Sequence, residues 1–319
     1  MKKILLFSCI ALFSFVGYSC DDTLDDELFV KYAYIVKKGW QETAVELTET
    51  SVMKIPVTIG VNGTSLNDKD VVVKLGFDPD TLAGYNKEKY KEQTDLFYKM
   101  IAEDAVEFPE EVVIENGKES AVFHITLDKS KVVDQYEDYV LPISIIEASE
   151  YEKGPSKYTK SLMHLSYRND FSGNYSGSDG RVFDVANDGS KRTVNNKTLY
   201  GFSLNECFFF VGDYDRENPQ RGGYIARVHW EPATGEITLT SDIPSLQLAA
   251  VGTPRIQQTV GKHATDDAKK IVATTIRLEY TYLDTSVEGN AKTMKFTGSL
   301  TMTDQNVPID RPERVSTPD

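Results

Sequence analysis

The stretch Ile271–Leu283, IVATTIRLEYTYL, followed across Glu288-Gly289-Asn290 by Thr293–Thr303, TMKFTGSLTMT, decides the fold. Ile276, Leu278, Tyr280 and Tyr282 fall on one side of an extended chain, and Arg277, Glu279 and Thr281 on the other. A period of two residues is what a sheet with one buried face requires. The same alternation recurs upstream in Gly223–Trp230, where Tyr224, Ala226, Val228 and Trp230 share a face, and Pro232-Ala233-Thr234-Gly235 turns the chain into Glu236–Thr240. These apolar faces, Trp230 included, read as core.

Working toward the N-terminus, the alternation continues in Val30–Val36, Met53–Gly60, Val71–Phe77, Glu111–Ile114, Ser120–Leu127 and Tyr139–Ile146. Asn116-Gly117 between the fourth and fifth of these suits the positive φ angles of a tight hairpin. One segment breaks the rule: in Tyr85–Asp104, Tyr90, Leu96, Phe97, Met100 and Ile101 recur at near-helical spacing, which predicts a helical insertion ending before Phe108-Pro109. A polar, glycine-rich restart at Arg168–Gly177 predicts a domain boundary. The expected fold class is all-β: an immunoglobulin-like β-sandwich over 29–167 with a short helical insertion, then a second antiparallel β domain over 168–303. The alternation fits either a sandwich or a lipocalin-like barrel for the second domain. Residues 304–319, with three prolines, are expected to form a loosely packed tail.

At the start of the chain Lys2 and Lys3 precede the apolar run Ile4–Val16. Gly17 and Ser19 then lead into Cys20, which is followed at once by Asp21, Asp22, Asp25, Asp26 and Glu27. The charged, apolar and small-residue regions are those of a secretory signal. Ending on a cysteine, the segment resembles a bacterial lipoprotein signal, which implies lipidation of Cys20, removal of residues 1–19 and an acidic tether over 20–28. Simple secretion is the alternative. An acidic run just after the cysteine resembles the signal that places Bacteroidetes lipoproteins on the outer face of the outer membrane, where the acyl chains anchor the protein to lipid.

Acidic residues outnumber basic ones 49 to 35, a formal charge of −14, so nucleic acid is excluded as a partner by repulsion between like charges. Three cysteines cannot form a disulfide framework, and Cys207, inside the apolar run Cys207–Phe210, reads as a buried, inert thiol. No Gly-x-Ser-x-Gly elbow, His-Glu-x-x-His, P-loop or Cys-x-x-Cys is present, and no carboxylate pair stands out for glycoside hydrolysis. The expectation is a protein that is not an enzyme and has no cofactor. His124, His164, His229 and His263 are dispersed, and the loop Gly212–Asn218 lacks an EF-hand pattern and contains Arg216, so no metal is expected.

Sugar binding needs flat aromatic faces beside planar polar groups. Trp40, outside any clean alternation, offers such a platform, with an edge-of-core tryptophan as the bland alternative. Tyr214, with Asp213, Asp215, Arg216 and Asn218, offers a polar lip around one aromatic ring, or else an ordinary surface turn.

The segments Val71–Asp78, Leu82–Asn86 with Tyr90, Val113–Gly117 and Asp138–Ile143 occur in an order similar to the family called domain of unknown function 1735, over about residues 30–167. Phe171-Ser172-Gly173-Asn174-Tyr175 and the closing aromatic strands resemble domain of unknown function 4361. Proteins with this pairing look like accessory lipoproteins of polysaccharide-utilisation loci. The resemblance therefore implies surface capture of a polysaccharide or oligosaccharide beside an outer-membrane glycan importer. The competing expectation is a structural or assembly protein that contacts another outer-membrane component and no sugar.

Overall fold

The computed structural model describes residues 30–231 and 236–311; Cys20, the leader and the tether lie outside the described residues. Strands β1 (Tyr32–Ile35), β2 (Gly39–Glu46), β3 (Val52–Val61), β4 (Val71–Phe77), β5 (Lys99–Met100), β6 (Val106–Glu107), β7 (Glu111–Ile114), β8 (Ser120–Asp128), β9 (Tyr139–Ala148), β10 (Glu152–Lys153) and β11 (Lys160–Arg168) form a sandwich. One sheet runs β10-β1-β3-β8-β6, and the other β2-β11-β9-β4-β7 with β5 beside β9. In β3 the inward Met53, Ile55, Val57 and Ile59 are buried while Lys54 and Pro56 face out. They meet Val73, Ile114, Ile143 and Ile145 of the opposite sheet in one apolar core. The predicted immunoglobulin-like sandwich is therefore present, although β2 runs parallel to β11 and β1 to β10.

The helical insertion lies earlier than its apolar spacing predicts. The helix is Pro79–Tyr90, with the Asp78 carboxylate accepting from Thr81 N at 3.1 Å and Pro79 in the first turn, an N-terminal signal that the spacing argument overlooked. Beyond Lys91 the chain folds back. The Asn86 side chain donates to Tyr98 O at 2.8 Å and accepts from Tyr98 N at 3.0 Å, tying the next segment to the helix as a short 3₁₀ turn and β5 instead of further helix.

A second difference concerns Asn116-Gly117. Gly117 takes φ of +77° as a tight turn demands, but β7 pairs with β4 and β8 pairs with β3 and β6. The turn carries the chain from one sheet of the sandwich to the other and does not close a hairpin.

The remaining strands are β12 (Gly173–Ser176), β13 (Arg181–Asp184), β14 (Asn187–Thr193), β15 (Asn196–Ser203), β16 (Glu206–Phe210), β17 (Ile225–Trp230), β18 (Ile237–Thr240), β19 (Ala249–Ala250), β20 (Arg255–Lys262), β21 (Lys269–Asp284) and β22 (Lys292–Pro308). β21 and β22 are the long hairpin read from the alternation, with Ile276 opposite Leu300 and Tyr280 opposite Phe296. The far edge of β22 pairs first with β13 and then with β12, and from β12 the ladder continues through β15, β16 and β17 to β18. This is one continuous curled sheet around one core, in which Tyr175, Phe209, Tyr280, Tyr282 and Phe296 are buried, so the architecture is barrel-like and not two stacked sheets. β22 extends beyond residue 303 because Val307 is buried and pairs with Lys270.

The two domains are in close contact. An ideal Cβ on Gly201 of β15 would stand 2.7 Å from Tyr167 O of β11, so only glycine permits the approach. Lys129 of the first domain is buried, donates to Phe202 O of the second at 2.5 Å and also bonds Gln135. Desolvation pushes its ammonium down to about 8.

Candidate binding cleft between the two domains

The loop after β16, Gly212–Gly223, begins with a glycine at φ +58° packed against the Tyr282 ring. From there its side chains go to different places. Tyr214 is buried, stacks on Tyr224 with ring centroids 3.8 Å apart, and donates to Asp284 Oδ1 at 3.2 Å. Asp213 holds Arg192 through two contacts, at 2.9 and 3.1 Å. Asp215 accepts from Glu217 N at 2.9 Å and Asn218 from Gln220 N at 2.8 Å, so both shape the loop itself. Asp213, Tyr214 and Asn218 together line a cavity of about 440 Å³ at one end of the barrel-like sheet. Burial works to raise the Asp284 carboxyl at its floor, but hydrogen bonds from Ser286, Tyr224 and Tyr214 outweigh it and hold the group below its ordinary value.

Arg216 points the other way, into the seam between the domains. Its guanidinium pairs with the buried Asp138 and lies 4.2 Å from the Tyr200 ring centroid. Burial and the neighbouring Arg221 lower its pKa to about 10. Asp138 in turn lies 2.9 Å from His164 Nε2, whose Nδ1 lies 2.6 Å from Glu42 Oε2. Trp40 closes this network from the first domain. Its ring stacks on Tyr85 at 4.5 Å and 7°, with Tyr98 at 4.6 Å and His164 at 5.3 Å, and Nε1 donates to Glu42. The indole is thus engaged by protein rings, as an edge-of-core tryptophan is. Trp40 and Arg216, distant in sequence, meet through His164 and Asp138.

Beside this seam opens a cleft of about 400 Å³ that sequence reasoning did not anticipate. The 3₁₀ turn before β5 supplies Thr94, Asp95 and Phe97. The loop before β9 supplies Asp134, Tyr136 and Glu137. The second domain supplies Phe210, Pro219, Arg221, Ile225 and Asp242. Tyr136 is fixed on all sides: its ring stacks on Phe202 at 5.2 Å, meets Phe208 edge-on, and its hydroxyl donates to Asp242 Oδ2 at 2.6 Å. Arg227 Nη2 donates to the other oxygen of Asp242 at 2.6 Å. Opposite, Lys99 Nζ donates to Glu137 at 2.7 Å, which raises the lysine pKa, and buried Arg221 donates to Asp95 O at 3.0 Å. Aromatic and aliphatic wall therefore alternates with planar carboxylates and a guanidinium held in place by their own partners, the composition of a preformed site for a polar ligand with apolar faces. Tyr136 could have been found by the criterion that selected Tyr214, since Asp134–Tyr139 is also an aromatic residue set in an acidic loop. Phe97, Phe210 and Asp242 carry no such signal, because they come from separate segments that only the packing of two domains unites.

Among the described residues no group of His, Cys, Asp or Glu side chains could hold a metal ion, and no helix is long and apolar enough to cross a membrane.

Residues 23–149 match the family model described as a domain of unknown function (DUF4973), and residues 159–301 match a second model, of a C-terminal domain. No curated protein matches the chain. A crystal structure of a multidomain protein including DUF1735 from Bacteroides ovatus is 24% identical with a TM-score of 0.73, covering 85% of this chain and 94% of that one. An auxiliary nutrient binding protein from Bacteroides thetaiotaomicron is 22% identical with a TM-score of 0.73, covering 83% and 91%. A protein of unknown function from Bacteroides ovatus is 17% identical with a TM-score of 0.75, covering 94% and 98%. This chain shares their two-domain β fold.

Proposed function

We propose that the protein is a surface-anchored lipoprotein that captures a polysaccharide or oligosaccharide in the cleft between its two domains without cleaving it, and delivers it to an outer-membrane glycan importer. The observation that carries the reading is the cleft itself: the half-buried rings of Phe97 and Tyr136, backed by buried Phe210, stand beside Asp95, Asp134, Glu137 and Arg221, the pairing that a sugar's C–H face and hydroxyls call for. The fold is also that of a neighbour named as an auxiliary nutrient binding protein. The leader ending at Cys20 supplies the anchor, with several acyl chains each adding about 0.8 kcal/mol per buried methylene.

Affinity electrophoresis against plant, host and microbial glycans tests the capture. At least one should retard the protein, without release of reducing ends. Retardation by none overturns the reading, and so does turnover abolished by a single carboxylate substitution. Metabolic palmitate labelling that Cys20→Ser fails to abolish would refute the anchor.

A further inference from the structure

The Gly212–Gly223 loop separates the cleft from the cavity at the end of the barrel-like sheet, and its residues alternate between the two. Asn218 and Gln220 line the end cavity, whereas Pro219, Arg221 and Gly222 line the cleft. The ridge is firmly built. Gln220 N donates to Asn218 Oδ1 at 2.8 Å, Arg221 N to Asn218 O at 3.0 Å, and the Arg221 guanidinium reaches across to Asp95 O. Two concavities of about 400 and 440 Å³ thus share one rigid wall, with Pro219 and Gln220 exposed along it. A ligand confined to one side would engage one concavity, and only a longer chain would cross the ridge into both.

Charge narrows the ligand further. Four carboxylates and two cations line the cleft, and three carboxylates and two cations line the end cavity. The cations are already committed: Lys99 to Glu137, Arg192 to Asp213, Arg221 to the Asp95 carbonyl, and Lys292 at 3.7 Å from Asp184. Each wall keeps a surplus of carboxylates over cations, which repels an anionic sugar.

We infer that the two cavities are subsites of one binding track and that its ligand is an uncharged oligosaccharide long enough to straddle the Asn218–Gln220 ridge. This inference rests on the glycan-capture reading. The test is calorimetry on the intact protein with manno-, cello- and xylo-oligosaccharides from disaccharide to octasaccharide, and with oligogalacturonates as the acidic series. In a neutral series affinity should rise about tenfold or more with length as the second subsite is engaged, and the oligogalacturonates should not bind. Asn218→Ala with Asn290→Ala, two polar positions in the wall of the end cavity, should collapse the ratio of long-chain to short-chain affinity toward one. Unchanged thermal unfolding verifies that the double variant is folded, and Gln220→Ala provides a second variant. A length dependence that survives both variants overturns the two-subsite inference and leaves glycan capture standing. Oligogalacturonates binding as tightly as a neutral series overturns the charge argument alone. Binding by none of the series defeats the capture reading and the inference together.

Discussion

Replacing Arg216 with methionine removes one of the cations that bridge the two domains, the one paired with buried Asp138, while keeping the length and apolar bulk of the side chain. Asp138 is 6% exposed and would then rest on His164 alone, while the Tyr200 ring would lose the guanidinium above it. Removing one partner of a buried ion pair costs ~3–5 kcal/mol because the other charge stays behind. With 24% of the Arg216 side chain still reached by solvent, we expect about 2–4 kcal/mol. Adding Asp138→Asn should recover part of that loss, giving a coupling of about 1–3 kcal/mol in the double-mutant cycle. The chain has two tryptophans, Trp40 in the first domain and Trp230 in the second, so urea unfolding followed by fluorescence in Trp40→Phe and Trp230→Phe backgrounds reports each domain separately. The native protein should show coincident transitions, and Arg216→Met should separate them. A destabilisation under about 0.5 kcal/mol, or additive single effects, would refute the claim that this pair couples the domains.

Two further outcomes follow from buried groups. Lys197 donates to Tyr214 O at 2.9 Å, and burial lowers its pKa from 10.5 to about 8 against the opposing pull of Asp213 and Asp215. Between those values the unfolded chain holds a proton that the folded one has released, so this site's contribution to stability rises with pH across the window. Below about pH 8 the full penalty, roughly 3 kcal/mol, is present. Lys197→Met should therefore compare best with the native protein near pH 7, and its relative stability should fall toward pH 10; a pH-independent difference in denaturation midpoint would contradict this. Gly201→Val should cost about 1–3 kcal/mol by forcing β15 away from Tyr167 O, measured by thermal unfolding, and a neutral effect would mean that the domain contact is slack.

What could be read from sequence was whatever a single strand reveals by itself. The β21–β22 hairpin and the buried Trp230 follow from alternation, since one buried face imposes a period of two wherever the strand lies in the sheet, and the buried Cys207, whose thiol pKa burial pushes up, follows from its continuous apolar run. Partner choice did not follow. The turn at Asn116-Gly117 has the same local chemistry whether it closes a hairpin or crosses between sheets, and only the pairing of β7 with β4 distinguishes the two. The apolar spacing points past the helix because it belongs to a folded-back segment, whereas the true start is marked by the cap Asp78 ahead of Pro79. At the candidate site the sequence identified the loop but not its geometry. One residue step turns Asn218 to the end cavity and Pro219 to the cleft, and Tyr136, Phe97 and Asp242 reach the same cleft from segments far apart in the chain.

The most direct measurement is calorimetric titration of the native protein and of Tyr136→Ala with the glycan that retards the native protein most strongly, with Phe97→Ala as a second cleft variant, whose ring meets Tyr90 and not Tyr136. If the cleft is the binding site, the native protein binds with a defined stoichiometry and each variant, still folded by circular dichroism, loses affinity by about tenfold or more. Equal affinity in all three proteins would contradict the account.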